Sequence, residues 1–141
     1  MLIDSQAELD RLHEALVGHG YTRKGPQSRH LRDDVTRIRV EFLVAGEFPG
    51  DGQPKPVAFP MPATVSERSE EGIAFIRVAK LIELKLASAK SAPHRIKDQA
   101  DVLELIHKLK LTRDFATQLN EYVRDEFVRL SELPPPSEPD D

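Results

Sequence analysis

Three side chains stand out by type and position: Lys85, Asp98 and Glu41. Lys85 lies in the stretch 79–89, where Leu81, Ile82 and Ala89 sit one helical turn away and Leu84 and Leu86 adjoin it. A helix apolar around most of its circumference is buried on more than one side. An ammonium placed there either snorkels to water or meets an acid, because an unpaired buried charge is costly. A structural ion pair and a functional lysine both satisfy that condition. Asp98 stands one turn before Val102 on a stripe with Leu105 and Leu109, so it is expected to face the core. Arg95 and Asp101 are its neighbours three positions before and after. An acid in a first helical turn also favours the helix dipole, and Arg95 can pair with it locally. The two segments are consecutive and joined by a short connection, so Lys85 and Asp98 are expected to meet. Glu41 projects from the charged face of a strand, beside Arg37 and Arg39 and opposite Ile38, Val40 and Phe42. The plain reading of such a face is solvation.

Other chemistries are poorly supplied. The chain has no cysteine, which excludes disulfides, thiolate metal sites and thiol nucleophiles. Its five histidines are scattered without paired-ligand spacing. Neither a glycine-rich phosphate loop nor a serine-nucleophile elbow occurs.

The elements that must position these residues follow from periodicity. Residues 5–19 read as an amphipathic helix with Leu9, Leu12 and Leu16 on one stripe, Ser5 as cap, and Gly18 and Gly20 ending it. Residues 21–27 read as a turn and 28–32 as a short strand. The alternation over 36–44 is the clearest strand signal in the chain. Residues 45–62 carry three glycines and five prolines and read as an irregular loop. Strands follow at 63–68 and 73–78, joined as a hairpin through Ser69-Glu70-Glu71-Gly72. Helices are expected over 79–89, 93–109 and 112–133, with Pro93 suited to a first turn. This order predicts an α+β fold, a small mixed sheet with flanking helices and a C-terminal helical segment.

With 141 residues the chain is expected to form one domain over 1–133, followed by a disordered acidic, proline-rich tail over 134–141. The net charge of −4 gives no global case for nucleic acid. Its distribution is uneven: Lys80, Lys85, Lys90, Arg95 and Lys97 face a single acid, Glu83, over 80–97. No apolar run approaches the roughly 20 residues that span a bilayer, and the first residues do not resemble a secretory signal. A cytoplasmic location with no membrane association is expected.

The runs Ile38–Asp51, Pro54–Pro60, Leu81–Ser88 and Ala92–Leu105 resemble a bacterial nucleotidyltransferase-like family related to the AbiEii-type toxins of toxin–antitoxin systems. The resemblance covers nearly the whole chain apart from the tail. Its most specific part is Lys85 followed by Arg95-x-Lys97-Asp98-x-x-Asp101. It implies a polymerase-β-like fold in which carboxylates hold Mg²⁺ and the metal assists phosphoryl-type transfer from an NTP. By that resemblance Glu41 corresponds to a third metal carboxylate. Lys85 would contact nucleotide phosphates, and Asp98 is the aspartate of the helical motif. Arg95, Lys97 and Asp101 line the same nucleotide-binding motif.

The chain departs from the family in two respects, the first being that Glu41 stands where aspartate is usual, its oxygens moved outward by one methylene. Second, no glycine turn precedes an Asp-x-Asp pair anywhere in the chain, and that pair would fall at or ahead of Met1. The expectation is a truncated or degenerate homologue with weak or no nucleotidyl transfer. The alternatives are an active toxin that modifies an RNA acceptor, with the carboxylates supplied upstream or in trans, and a non-catalytic protein-interaction module. An antitoxin, a nucleotide or a second copy paired through an exposed sheet edge are the partners this implies.

Overall fold

A computed structural model describes residues 1–92 and 96–135. Arg95 and the part of the tail beyond Pro135 therefore lie outside the described residues. The fold is α+β, with small sheets and flanking helices. Cα packing separates two compact units, residues 1–47 with 59–66 and residues 48–58 with 67–141.

The first unit opens with β1 (Leu2–Ile3) and α1 (Gln6–Leu16). Ser5 caps α1, its Oγ accepting from the Glu8 N–H at 3.2 Å. Next come β2 (Tyr21–Arg23), β3 (Leu31–Asp33), β4 (Arg39–Val40) and β5 (Leu43–Val44). Strands β2, β3 and β4 form an antiparallel three-stranded sheet, and β5 pairs in parallel with β1. A small core of Ile3, Leu9, Leu31, Phe42 and Val44 holds this unit together, with Leu12, Leu16, Tyr21 and Val40 packed against it. His13 is buried in it, bonded at 2.9 Å to the Arg29 carbonyl and edge-on to Phe42.

Several element boundaries differ from those the sequence suggests. The single strand expected over 36–44 is two short strands that belong to different sheets. Arg37 sits in the left-handed region (φ 64°), and after Val40 the chain changes partner from β3 to β1. Alternation survives the change of partner, which is why it reads as one strand. The turn expected over 21–27 begins instead as β2, and the strand expected at 28–32 is displaced to 31–33. Residues 45–61 are irregular, as expected. The strand expected over 63–68 starts as a helical turn, α2 (Pro62–Val65), because Pro62 fits the first helical position.

In the second part of the chain β6 (Ser66–Arg68) and β7 (Ala74–Ile76) form a hairpin closed by Ser69 N–H to the Ile73 carbonyl at 2.9 Å. Three helices follow: α3 (Val78–Ser91), α4 (Ile96–Leu109) and α5 (Glu121–Ser131). The helix expected over 112–133 is interrupted. Residues 113–118 form a 3₁₀ helix, Leu119 is extended, and Asn120 restarts the chain as the N-cap of α5. Ile82, Leu86, Val102, Val123 and Phe127 are buried to 1% exposure or less and form the core of the bundle. Helix α3 is buried on several sides, as its composition predicts.

Candidate functional site

The residues singled out on α3 and α4 come together. Lys85 and Ser88 are one turn apart on α3, and Asp98 and Asp101 are one turn apart on α4, so each helix presents a pair to the other. The Lys85 Nζ donates to Asp101 Oδ2 at 2.9 Å and lies 3.8 Å from Asp98 Oδ1. The Ser88 hydroxyl donates to Asp98 Oδ2 at 2.8 Å. The expected meeting of Lys85 and Asp98 is thus real, and the shorter contact is to Asp101. The inward line of α4 runs through Val102 and Ile106, both buried, while Leu109 is largely exposed. That rotates Asp101 toward α3 further than the Leu105 and Leu109 stripe suggests. Lys97 is exposed, and Arg95 lies outside the described residues.

Within the basic stretch 80–97, the three lysines of α3 are all engaged by other groups of the fold. Lys80 pairs with Glu83. Lys85 is held by the two aspartates. Lys90 donates to the Tyr122 carbonyl at 2.9 Å, lies over the Tyr122 ring and stands 3.4 Å from Glu126. Lys80 pairs locally and Lys97 is exposed, whereas Lys85 and Lys90 are drawn into packing roles by groups distant in sequence. A cation over an aromatic face adds to that hold.

Two residues of this region escape a reading by local spacing. Glu83 is buried (7% exposed), and its Oε1 accepts the Asn120 backbone N–H at 2.6 Å across 37 positions. Asn120 Oδ1 in turn accepts from the Tyr122 N–H. Glu83 therefore fixes the start of α5 onto α3 by a charge-assisted bond, a class worth about 1.5–3 kcal/mol. Its only sequence signal is that it is the single acid among five bases. Lys55 is the other. Its side chain is 5% exposed, and its ammonium donates to the Pro49 carbonyl (2.7 Å), Asp51 Oδ1 (2.7 Å) and the Gln53 carbonyl (2.6 Å). Three acceptors match its three protons, so the loop 49–55 is wound around one cation. The Asp51 carboxyl is held below its ordinary value, first by that lysine and then by the Gln53 N–H. Gly50 lets the loop rest on the end of α3: with φ 73°, a Cβ there would fall 2.1 Å from Ser91 Oγ and 2.8 Å from the Ser88 carbonyl.

Glu41 belongs to the first unit, while Lys85, Asp98 and Asp101 belong to the second. It lies between β4 and β5, is exposed and pairs with Arg39. Its backbone carbonyl accepts from the Met1 amino group at 2.7 Å.

The arrangement on α3 and α4 is chemically a neutralised cluster. Among the described residues no group of three or more His, Asp or Glu side chains is placed to hold a metal ion. The Asp98 and Asp101 pair already faces an ammonium that a metal would have to displace. The described donors do not fit a Mg²⁺ site. No helix among the described residues is long and apolar enough to cross a membrane. Comparison with known proteins finds no matching family model, no matching curated protein and no matching solved structure.

Proposed function

We propose that the chain is a catalytically silent relative of the AbiEii-type nucleotidyltransferases, in which the helical motif has become an architectural joint. The observation that carries this reading is the Lys85 ammonium, bonded to Asp101 and beside Asp98. A lysine committed to two carboxylates of its own fold has no charge left over for a phosphate. Ser88 satisfies the far oxygen of Asp98, so the cluster is closed on both sides. Under this reading Lys85, Asp98 and Asp101 hold α3 against α4, and the chain acts by binding rather than by transfer.

The test is incubation of the full chain with labelled NTP, Mg²⁺ and RNA. No label above background should reach the RNA. Transfer that disappears in Lys85→Ala, with the circular dichroism of the folded chain retained, would sink the proposal.

A second reading, a protein-interaction module, is favoured by the β6–β7 hairpin, which exposes Ile73 (56%) and Phe75 (57%). A two-stranded hairpin with bare apolar side chains suits pairing with another chain. Sedimentation of wild type and Phe75→Ser distinguishes this: unchanged monomeric behaviour in both would remove self-pairing as its basis.

A further inference from the structure

The first unit carries an unpaired cationic face, and we infer that it binds the phosphate backbone of single-stranded nucleic acid. The inference stands apart from the nucleotidyltransferase reading, because none of its residues belongs to the α3–α4 cluster.

Register defines the face. Thr22 is paired with Arg32, and Arg32 with Arg39, across β2, β3 and β4. Leu31, next to Arg32 on the strand, is fully buried, so its face is the core side and Arg32 points away from it. Lys24 and His30 continue the same outward row one pleat further along. These residues, with Arg37, line a shallow cavity of about 210 Å³. Its lining is Thr22, Lys24, His30, Arg32 and Arg37, with no acid and no large apolar side chain.

The cations there are uncompensated. Arg39 pairs with Glu41, but Lys24, Arg32 and Arg37 make no ion pair among the described residues and are all exposed. Two arginines directly opposed on neighbouring strands repel each other. Arg37 is a second unfavourable choice, because its φ of 64° is a conformation that suits glycine. The turn that presents it is built firmly. Asp33 Oδ1 accepts the N–H groups of Val35 and Thr36 at 2.9 and 3.0 Å, and the Asp33 carbonyl accepts the Arg37 N–H at 2.9 Å. Neither the Arg32 nor the Arg37 side chain gains an ion pair among the described residues from its position.

The chemistry favours phosphate. Two guanidinium forks and an ammonium border the cavity, while the Thr22 hydroxyl is spent on the Asp34 carboxylate at its edge; arginine forks match phosphate oxygens in a bidentate way. The two outward rows lie about 7 Å apart, twice the strand rise. One phosphate cannot fill both rows, whereas consecutive phosphates of one strand can. No Phe, Tyr or Trp lines the cavity and the one ring there is the half-buried His30 imidazole, so base stacking contributes little and binding is expected to be largely indifferent to sequence.

The test is fluorescence anisotropy of a labelled, mixed-sequence single-stranded RNA with the full chain. Three phosphate contacts predict a slope of log K against log salt of about −2, or a roughly twenty-fold loss between 50 and 200 mM salt. Lys24→Gln, Arg32→Gln and Arg37→Gly should each weaken binding several-fold and flatten the slope by about 0.7. Arg37→Gly fits its backbone, so an unchanged melting temperature separates lost binding from lost folding. Lys108→Gln, in the other unit, should leave binding as it was. The inference is overturned if the three substitutions leave affinity unchanged, or if Lys108→Gln weakens it equally. It is also overturned if polyglutamate of equal charge binds as tightly, or if inorganic triphosphate competes mole for mole with the RNA.

Discussion

Two groups of cations, one in each unit, are handled in opposite ways. In the helical unit Lys55, Lys80, Lys85 and Lys90 are all bonded within the fold, to carboxylates or carbonyls, and Glu83 is bonded to a backbone N–H. In the N-terminal unit Lys24, Arg32 and Arg37 face solvent with no ion pair among the described residues. The contrast follows from packing. Helices α3, α4 and α5 bring long side chains against one another, and a charge caught between them must be paired. Strands of two or three residues bury only one face, and the other face can hold charges at little cost to folding. The first unit also has paired cations, Arg11, Arg29 and Arg39, which makes the unpaired trio the exception there.

That contrast can be tested by substitution, beginning with the core. Phe127 is fully buried and stacks at 5.5 Å, tilted, on Phe115. Phe127→Ala should cost about 3–5 kcal/mol in urea denaturation. A loss under 1 kcal/mol would mean the helical unit is too loosely packed to dictate the pairing of its charges.

Gly50→Ala comes next, with an expected loss of about 1–3 kcal/mol, since it combines a positive φ with a collision against the Ser88 backbone. The same substitution at Gly25, which has open space around the new Cβ, is the control.

Exchanging one cation from each unit sharpens the argument. Lys85→Ala leaves Asp98 and Asp101 without their ammonium and should cost about 1–2 kcal/mol, allowing for the water that reaches the pair. Arg32→Gln should change stability by less than about 0.5 kcal/mol. Equal losses in the two variants would remove the distinction.

The smallest effect is expected from acid. Asp33, Glu47 and Asp51 all have carboxyls held below their ordinary values. For Asp33 the leading causes are the Thr36 and Val35 N–H groups; for Glu47 and Asp51 they are hydrogen bonds from Arg29 and Lys55. A depressed folded-state pKa means stability that is present above the ordinary carboxylate value and lost as pH falls through the folded one. Stability should therefore be level from neutrality to about pH 4 and decline below it. Asp51→Asn should make the acid limb shallower, as followed by thermal melts across pH.

Local order was legible in the residues themselves. The Ser5 cap, the Leu9 and Leu16 stripe of α1, the apolar girth of α3 and the α+β class all rest on interactions within a few positions of one another. The meeting of Lys85 with the acids of α4 was legible for the same reason: consecutive helices joined by a short connection must lie side by side. Legibility ended where partners are remote. Alternation over 36–44 says that a segment is extended, but not that Arg39 and Val40 join β3 while Leu43 and Val44 join β1. That exchange of partners sets Arg32 opposite Arg39 and assembles the cationic face, so no window of sequence displays it. The basic run 80–97 misleads for the converse reason. Its lysines are close in sequence, yet Asp101, Tyr122 and Glu126, which engage two of them, are contributed by later helices. Spacing along the chain determines which way a side chain points, and the packing of distant segments determines what it finds there.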